Sequence, residues 1–215
     1  MRNLLRHELN LVAHPTNWIF LALSAMLLIP NYPYYVVFFY GCLGFLFTFT
    51  EARENQDLLF LSLLPLGKRD LVKSRFLLVI LFQLVQMLAA VPFALLRQSF
   101  AIPGNAAGMD AGIALFGLAL PMLGIFDRIF LESFFRRPDK VGTAFLKGCA
   151  GLTVYMALAE TAAFAVPFFR DCLDTPDPEH LGAKLAVLAI GAALYAGLNA
   201  WAYRSCVKAF EAVDL

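Results

Sequence analysis

The segment that decides the fold of this protein runs from Glu51 to Arg75 and reads EARENQDLLFLSLLPLGKRDLVKSR. It holds nine of the charged residues in a chain that has only 17 basic and 16 acidic side chains. Long uncharged runs flank it on both sides. A charged, leucine-rich island between two apolar runs is typical of a structured segment held at a membrane surface between two spans. Pro65-Leu66-Gly67 predicts a turn inside it, so the segment is interpreted as a helix-turn-helix.

The composition of the whole chain indicates that its solvent is lipid. Of its 215 residues 60% are hydrophobic and only 15% are charged, with a mean hydropathy of +0.71. A soluble domain usually carries about 25% charged residues. The four cysteines occur singly and show neither a metal-binding nor a disulfide pattern.

Six membrane spans are predicted from the uncharged runs. Between Leu9 and Thr50 there is no acidic or basic residue other than His14, a length that allows about two helical crossings. Pro30 and Pro33 mark the turn between them. Residues 1–14 are interpreted as an amphipathic helix in the membrane interface. The predicted fold is therefore an all-α, single-domain membrane protein with spans near 16–30, 34–50, 76–96, 111–130, 143–166 and 184–203.

The distribution of positive charge predicts the orientation of these spans. Fourteen of the 17 lysines and arginines fall on alternate segments: the N-terminus, residues 51–75, residues 128–147 and the C-terminal tail. Only Arg97, Arg170 and Lys184 fall on the other side. Because cytoplasmic loops are enriched in Lys and Arg, both termini and the 51–75 segment are expected in the cytoplasm.

Two ionisable residues occur inside the predicted fifth span, where charge is costly. Lys147 lies close enough to the boundary for its ammonium group to reach the interface. Glu160 lies about 20 Å deeper, which leaves several possibilities open. It is protonated, or pairs with Arg97 or Lys184, or faces a polar cavity as part of a transport pathway.

The motifs of common enzymes are missing from the sequence. There is no H-E-x-x-H array, no G-x-S-x-G turn and no G-x-x-x-x-G-K-[ST] phosphate loop, so no catalytic or metal site is predicted. The chain is not expected to hydrolyse nucleotide by itself, and nothing in it indicates nucleic-acid binding. Three classes remain open: a subunit of an ATP-driven transporter, a membrane-embedded enzyme or scaffold without an ATPase, and a secondary transporter.

The residues of the charged segment resemble a known family. The order Glu54-Asn55-x-Asp57, Leu61–Pro65 and Lys68–Phe76 resembles the hallmark stretch of ABC type-2 exporter permeases. In size and span order the chain is similar to small bacterial six-span permeases of bacitracin-resistance and phenol-soluble-modulin exporters. The opening Leu4–Leu9 resembles the interfacial helix that begins such permeases.

This resemblance implies a permease in the bacterial inner membrane that exports amphipathic peptides or hydrophobic compounds, for example antimicrobial or toxic peptides. It implies a homodimer, or else a heterodimer, with two copies of a separate cytoplasmic ATPase that bind the ATP and Mg²⁺. This chain would bind no cofactor itself. The 51–75 segment would supply a coupling helix that contacts the ATPase. The residues that the resemblance assigns to this contact are Glu51, Glu54, Asn55, Asp57, Leu58, Leu61, Leu64, Pro65, Lys68, Arg69 and Asp70.

Overall fold

The computed structural model describes residues 14–100 and 104–213, and every regular element in these ranges is helical. The all-α prediction is therefore confirmed. The predicted interfacial helix over 1–14 lies outside the described residues, except for His14. In chain order the elements are α1 (Thr16–Ala22) continued by a 3-10 helix (Leu23–Leu28), α2 (Tyr35–Glu54), α3 (Asp57–Ser62), α4 (Lys68–Ser99), α5 (Ile113–Arg136), α6 (Val141–Ala165), a π-helical turn (Phe169–Leu173) and α7 (Leu181–Glu211).

Five of these helices, α2, α4, α5, α6 and α7, are long and apolar enough to cross a membrane. The predicted span near 16–30 is instead a shorter apolar segment, Thr16–Leu28, built from seven α-helical and six 3-10 residues. Such a segment rises roughly 22 Å, less than the ~30 Å of a hydrocarbon core. Five spans are thus supported by the helices, and the sixth stays a prediction.

The short segment nevertheless lies alongside α2 and runs in the opposite direction. At its start, the Asn17 amide donates a hydrogen bond of 2.6 Å to Thr48 Oγ1, near the end of α2. After its end, Asn31 Oδ1 accepts a hydrogen bond from the Ala106 N–H in the loop before α5. Asn31 has a positive φ of 55°, which reverses the chain between this segment and α2.

Helix α5 lies at the centre of the bundle and packs most extensively against α7 and α6. Aromatic rings fill the half of the core toward Arg136, where Phe49 of α2 contacts Phe130 and Phe134 with centroid distances of 5.0 and 4.7 Å. In the other half, α5 and α7 meet backbone to backbone. A methyl group on Gly191 would lie 1.9 Å from the Gly117 carbonyl oxygen, so only glycine allows this approach.

The charged segments gather at two opposite ends of the bundle. At the first, which we call the basic end, the Lys68 ammonium donates to the Val213 carbonyl (2.7 Å) and Arg53 donates to the Asp139 carbonyl (3.3 Å). The 51–75 segment, the α5–α6 turn and the end of α7 therefore share one end. At the second, which we call the closed end, Arg97 pairs with Asp110.

Candidate coupling surface

Helix α3 is the first half of the predicted helix-turn-helix, and it is too short to be stable by itself. Its six residues are fewer than an isolated helix needs in water. Gln56 precedes it with a φ of 50°, so the chain turns sharply between α2 and α3. Leu58 and Leu61 then enter the hydrophobic core. Tertiary contacts, rather than helix propensity, therefore hold α3 in place.

One of these contacts is an ion pair between Asp57 and Arg75. The Asp57 carboxylate accepts from the guanidinium of Arg75, whose side chain is only 1% exposed. That guanidinium also lies over the ring of Phe49, 5.8 Å from its centroid. Because loss of one partner of a buried pair is strongly destabilising, this pair fixes α3 to α4 in one position. We infer that α3 and α4 move as one body.

The outward side of α3 and of the turn after it is apolar. Leu63 is 78% exposed and Phe60 is 58% exposed, and Leu59 and Leu64 are exposed as well. Glu54 and Asn55 lie exposed beside them. Contiguous apolar groups rimmed by polar ones mark sites of protein or membrane contact. We call this set the coupling face: Glu54, Asn55, Leu59, Phe60, Leu63 and Leu64.

The structure divides the residues assigned to the ATPase contact into three groups. The first group is exposed and consists of Glu54, Asn55, Leu64, Pro65, Arg69 and Asp70. The second group, Glu51 and Lys68, is half-buried. Asp57, Leu58 and Leu61 point inward and support α3 from behind. Arg69 also pairs with Glu211 (3.0 Å), which ties the start of α4 to the end of α7.

The sequence-based assignment omitted three residues of this outward side, Leu59, Phe60 and Leu63. The signal that could have found them is the helical period. Residues 58 and 61 lie on one face of a helix, so residues 59, 60 and 63 must lie on the other.

Glu160, the other predicted site residue, contacts the loop before α5. Its carboxylate accepts the Met109 N–H at 3.2 Å, and a methyl group on Gly108 would lie 2.2 Å from Glu160 Oε2. The two cations considered as its partners pair with other acids: Arg97 with Asp110 (3.0 Å) and Lys184 with Asp177 (2.8 Å). Glu160 thus fastens α6 to this loop, and its role in a pathway stays a prediction.

Sequence analysis missed a buried carboxyl in the bundle, Asp127 of α5. It is fully buried and accepts a hydrogen bond of 2.7 Å from the Gln83 amide, whose oxygen accepts from the Tyr195 hydroxyl at 2.6 Å. This chain of bonds joins α5, α4 and α7. The signal in the sequence is an acidic residue inside the predicted span 111–130, where charge is costly.

Comparison with known proteins identifies the family of this chain. A family profile described as "ABC-2 family transporter protein" matches residues 3–131, more than half of the sequence. The chain belongs to the ABC-2 transporter family. The match extends into α5 and includes the whole coupling face. No curated protein and no solved structure matches the chain.

Family membership and the five apolar helices establish a multi-pass membrane permease of an ABC transporter. Permeases of this family work with an ABC ATPase, so such a partner is implied for this chain. The resemblance of this chain to ABC-2 type permeases is therefore confirmed. The narrower likeness to bacitracin-resistance and phenol-soluble-modulin exporters stays an expectation.

Proposed function

We propose that this protein is the transmembrane subunit of an ATP-driven exporter and that a separate cytoplasmic ATPase docks on the coupling face. The observation that carries the proposal is an exposed apolar surface on a short helix that is rigidly tied to a spanning helix. In this arrangement the ATPase binds ATP and Mg²⁺, and the permease supplies no catalytic residue and binds no cofactor.

The contacts provide a route by which movement of the ATPase would reach the membrane. A push on α3 is carried to α4 by the Asp57–Arg75 pair. Helix α4 then continues without interruption from Lys68 to Ser99. Within the bundle, Gln83 of α4 bonds to Asp127 of α5. We propose that α4 acts as a lever that changes the packing of α5 and α7 when the ATPases close.

We further propose an assembly of two permeases with two ATPases. The two permeases form a homodimer, and a heterodimer with a second, different permease is the alternative. Supporting this, the small residues Ala189, Ala193 and Gly197 lie on an exposed face of α7. A methyl group added at Gly197 would meet no described atom within 4 Å. A stripe of small residues allows two helices to approach closely, as a second copy would require.

The proposed topology has six spans and both termini in the cytoplasm of a bacterial cell, with the protein in the inner membrane. It is supported by the basic charge gathered at one end and by the passage of Thr16–Leu28 beside α2. Cys172 lies in the loop between α6 and α7, at the opposite end from the coupling face. An impermeant thiol reagent should therefore label it on intact spheroplasts. Labelling only from the cytoplasmic face of inverted vesicles would overturn the topology.

For the substrate we propose amphipathic peptides or hydrophobic compounds moved outward. Supporting this, a groove of about 410 Å³ between α4 and α7 is lined mainly by apolar and aromatic side chains, among them Phe76, Ile80 and Tyr203. The Asn199 side chain adds a polar group to its wall. A groove of this character suits a molecule with an apolar body and few polar groups.

The decisive experiment is co-purification of this chain with candidate ABC ATPases from the same cell, followed by measurement of ATP hydrolysis. The variant Phe60→Ala with Leu63→Ala removes two exposed side chains of the coupling face. If each contributes as a typical interface anchor, affinity for the ATPase should fall about 10- to 100-fold.

The matched control is Leu158→Ala with Phe168→Ala, which truncates the same two residue types at exposed positions away from the basic end. This control should bind the ATPase like the unchanged protein. If both double variants bind the ATPase equally well, the coupling face is not part of the interface. Transport that persists without any ATPase would favour a secondary transporter, and a stable fold without transport would favour an enzyme or scaffold.

A further inference from the structure

A second charged site lies at the basic end, outside the coupling face. It is a cavity of about 620 Å³ between α5 and α6, with Trp201 of α7 at its edge. Its wall contains a single carboxylate, Glu132, against five cationic side chains. These cations are Arg128, Arg136, Arg137, Lys140 and Lys147.

The carboxylates of the protein neutralise only part of this positive charge. Glu132 pairs with both Arg128 and Arg136, and the Arg128 guanidinium also lies 4.2 Å from the centre of the Trp201 ring. Within residues 14–100 and 104–213, no carboxylate lies within ion-pair distance of Arg137, Lys140 or Lys147. A concave site with several unpaired cations attracts an anion, and arginine and lysine together are the usual ligands of phosphate.

The position of the cavity indicates a phosphate that belongs to a lipid. Arg137 and Lys140 lie at the ends of α5 and α6, while Lys147 lies seven residues into α6, about 10 Å deeper at helical rise. A cation at that depth extends its charge back toward the headgroups. Trp201 at the mouth is typical of the interface between headgroups and acyl chains.

Apolar surface continues from the cavity along the outside of the bundle. Ile129 forms part of the cavity wall, and farther along α6 the side chains of Leu146 and Val154 are exposed. A free phosphate ion would leave this surface unused, whereas the acyl chains of a phospholipid would cover it. Basic pockets between spanning helices are known to take anionic lipid headgroups.

We propose that this cavity binds the headgroup of an anionic phospholipid, with the lipid phosphate among Arg137, Lys140 and Lys147 and the acyl chains along α6. The bound lipid would fill the space between α5 and α6 at the basic end. This inference does not depend on the ATPase contact. Under the proposed orientation the lipid belongs to the cytoplasmic leaflet.

The test uses the full-length protein and native mass spectrometry after titration with phosphatidylglycerol or with phosphatidylcholine. Phosphatidylglycerol should be retained and phosphatidylcholine should not. In the variant Arg137→Gln, Lys140→Gln, Lys147→Gln, retention of phosphatidylglycerol should fall about 100-fold, as three cations of the cavity are removed. All three residues are exposed, so the substitutions leave the core untouched.

The matched control is Lys73→Gln, Arg204→Gln, Lys208→Gln, which removes three exposed cations from α4 and α7 outside the cavity. This control should retain phosphatidylglycerol within about threefold of the unchanged protein. An equal loss in both triple variants would mean a diffuse attraction to the basic end and would overturn the site. Displacement of the lipid by inorganic phosphate at equal concentration would show that the cavity binds a soluble anion, and this would overturn the proposal of a lipid ligand.

A fluorescence measurement gives a second, independent readout at the cavity mouth. The sequence has two tryptophans, Trp18 and Trp201, so Trp18→Phe leaves Trp201 as the single probe. Phosphatidylglycerol brominated in its acyl chains should quench this fluorescence at lower concentration than brominated phosphatidylcholine. Equal quenching by the two lipids would contradict the proposal.

Discussion

The two ends of the helix bundle differ in how far their charged groups pair with one another. At the closed end charged groups bind one another: Arg97 pairs with Asp110, the fully buried Lys184 pairs with Asp177, and Asp174 accepts the Asp110 N–H at 2.7 Å. At the basic end one buried ion pair supports α3, while the apolar coupling face and a cationic cavity remain open.

The contacts between α5 and α7 also differ between the two ends. Toward the closed end α5 and α7 touch through the backbones of Gly117 and Gly191, whereas toward the basic end they meet through the rings of Phe135 and Phe210, 5.3 Å apart. The charged groups named at the closed end are thus paired within the protein. Among the described residues, the basic end instead presents the apolar coupling face and cations without a carboxylate partner, which is what partners require.

The largest effect is expected from breaking the buried Asp57–Arg75 pair at the basic end. Asp57→Ala removes this carboxylate from the buried Arg75, which should lower the free energy of unfolding by about 3–5 kcal/mol. Release of α3 should also weaken ATPase binding. Chemical denaturation in detergent and hydrogen exchange over residues 57–64 would measure the two effects.

Two further variants sharpen this prediction. Asp70→Ala removes an exposed acid at the same end and should change stability by less than about 1 kcal/mol. Asp57→Ala combined with Arg75→Met replaces the pair by apolar groups and should recover most of the lost stability. If Asp57→Ala is no more harmful than Asp70→Ala, the pair does not anchor α3.

An intermediate effect is expected where the closed end is packed most tightly. Gly191→Ala forces a methyl group against the Gly117 carbonyl and should cost about 1–3 kcal/mol as the helices move apart. Gly197→Ala on the same helix meets open space and should be nearly neutral. Thermal unfolding of the two variants in dilute detergent compares them directly, and equal melting temperatures would refute the close contact.

The smallest effect concerns Asp174 in the loop between α6 and α7. Burial raises the pKa of this carboxyl, partly offset by its hydrogen bond from the Asp110 N–H. A pKa raised by folding favours the protonated form in the native state. The resulting stabilisation is complete below the ordinary Asp pKa of about 4 and is lost as the pH rises through the raised value.

Asp174→Asn cannot titrate but keeps an oxygen that can accept the Asp110 N–H. The difference in unfolding free energy between the variant and the unchanged protein should therefore change with pH over this acidic window, by less than about 1 kcal/mol because the group is half exposed. Unfolding curves collected at several pH values would measure it. A difference that is constant across the window would contradict the raised pKa.

Much of the fold could be predicted from local sequence because lipid imposes simple rules. An uncharged run of about 20 residues must form a helix that satisfies its own backbone, and this rule located α4 from Phe76–Leu96. The same rule was less successful for 16–30, where the apolar run gave a segment with a 3-10 second half. Length alone does not tell whether neighbouring side chains, such as Thr48 for Asn17, stabilise a shorter helix.

The 51–75 segment shows what sequence alone determined: its charge, its leucines, its turn and the family to which the chain belongs. The helical period groups Leu58 with Leu61 and Leu59 with Leu63, and only the tertiary structure decided which of the two groups faces outward. It also decided the partners of the charges, bringing Asp57 to Arg75 and Gln83 to Asp127 from separate helices. Composition and period act over a few residues, whereas a buried charge is satisfied by whichever group the packing of helices brings to it.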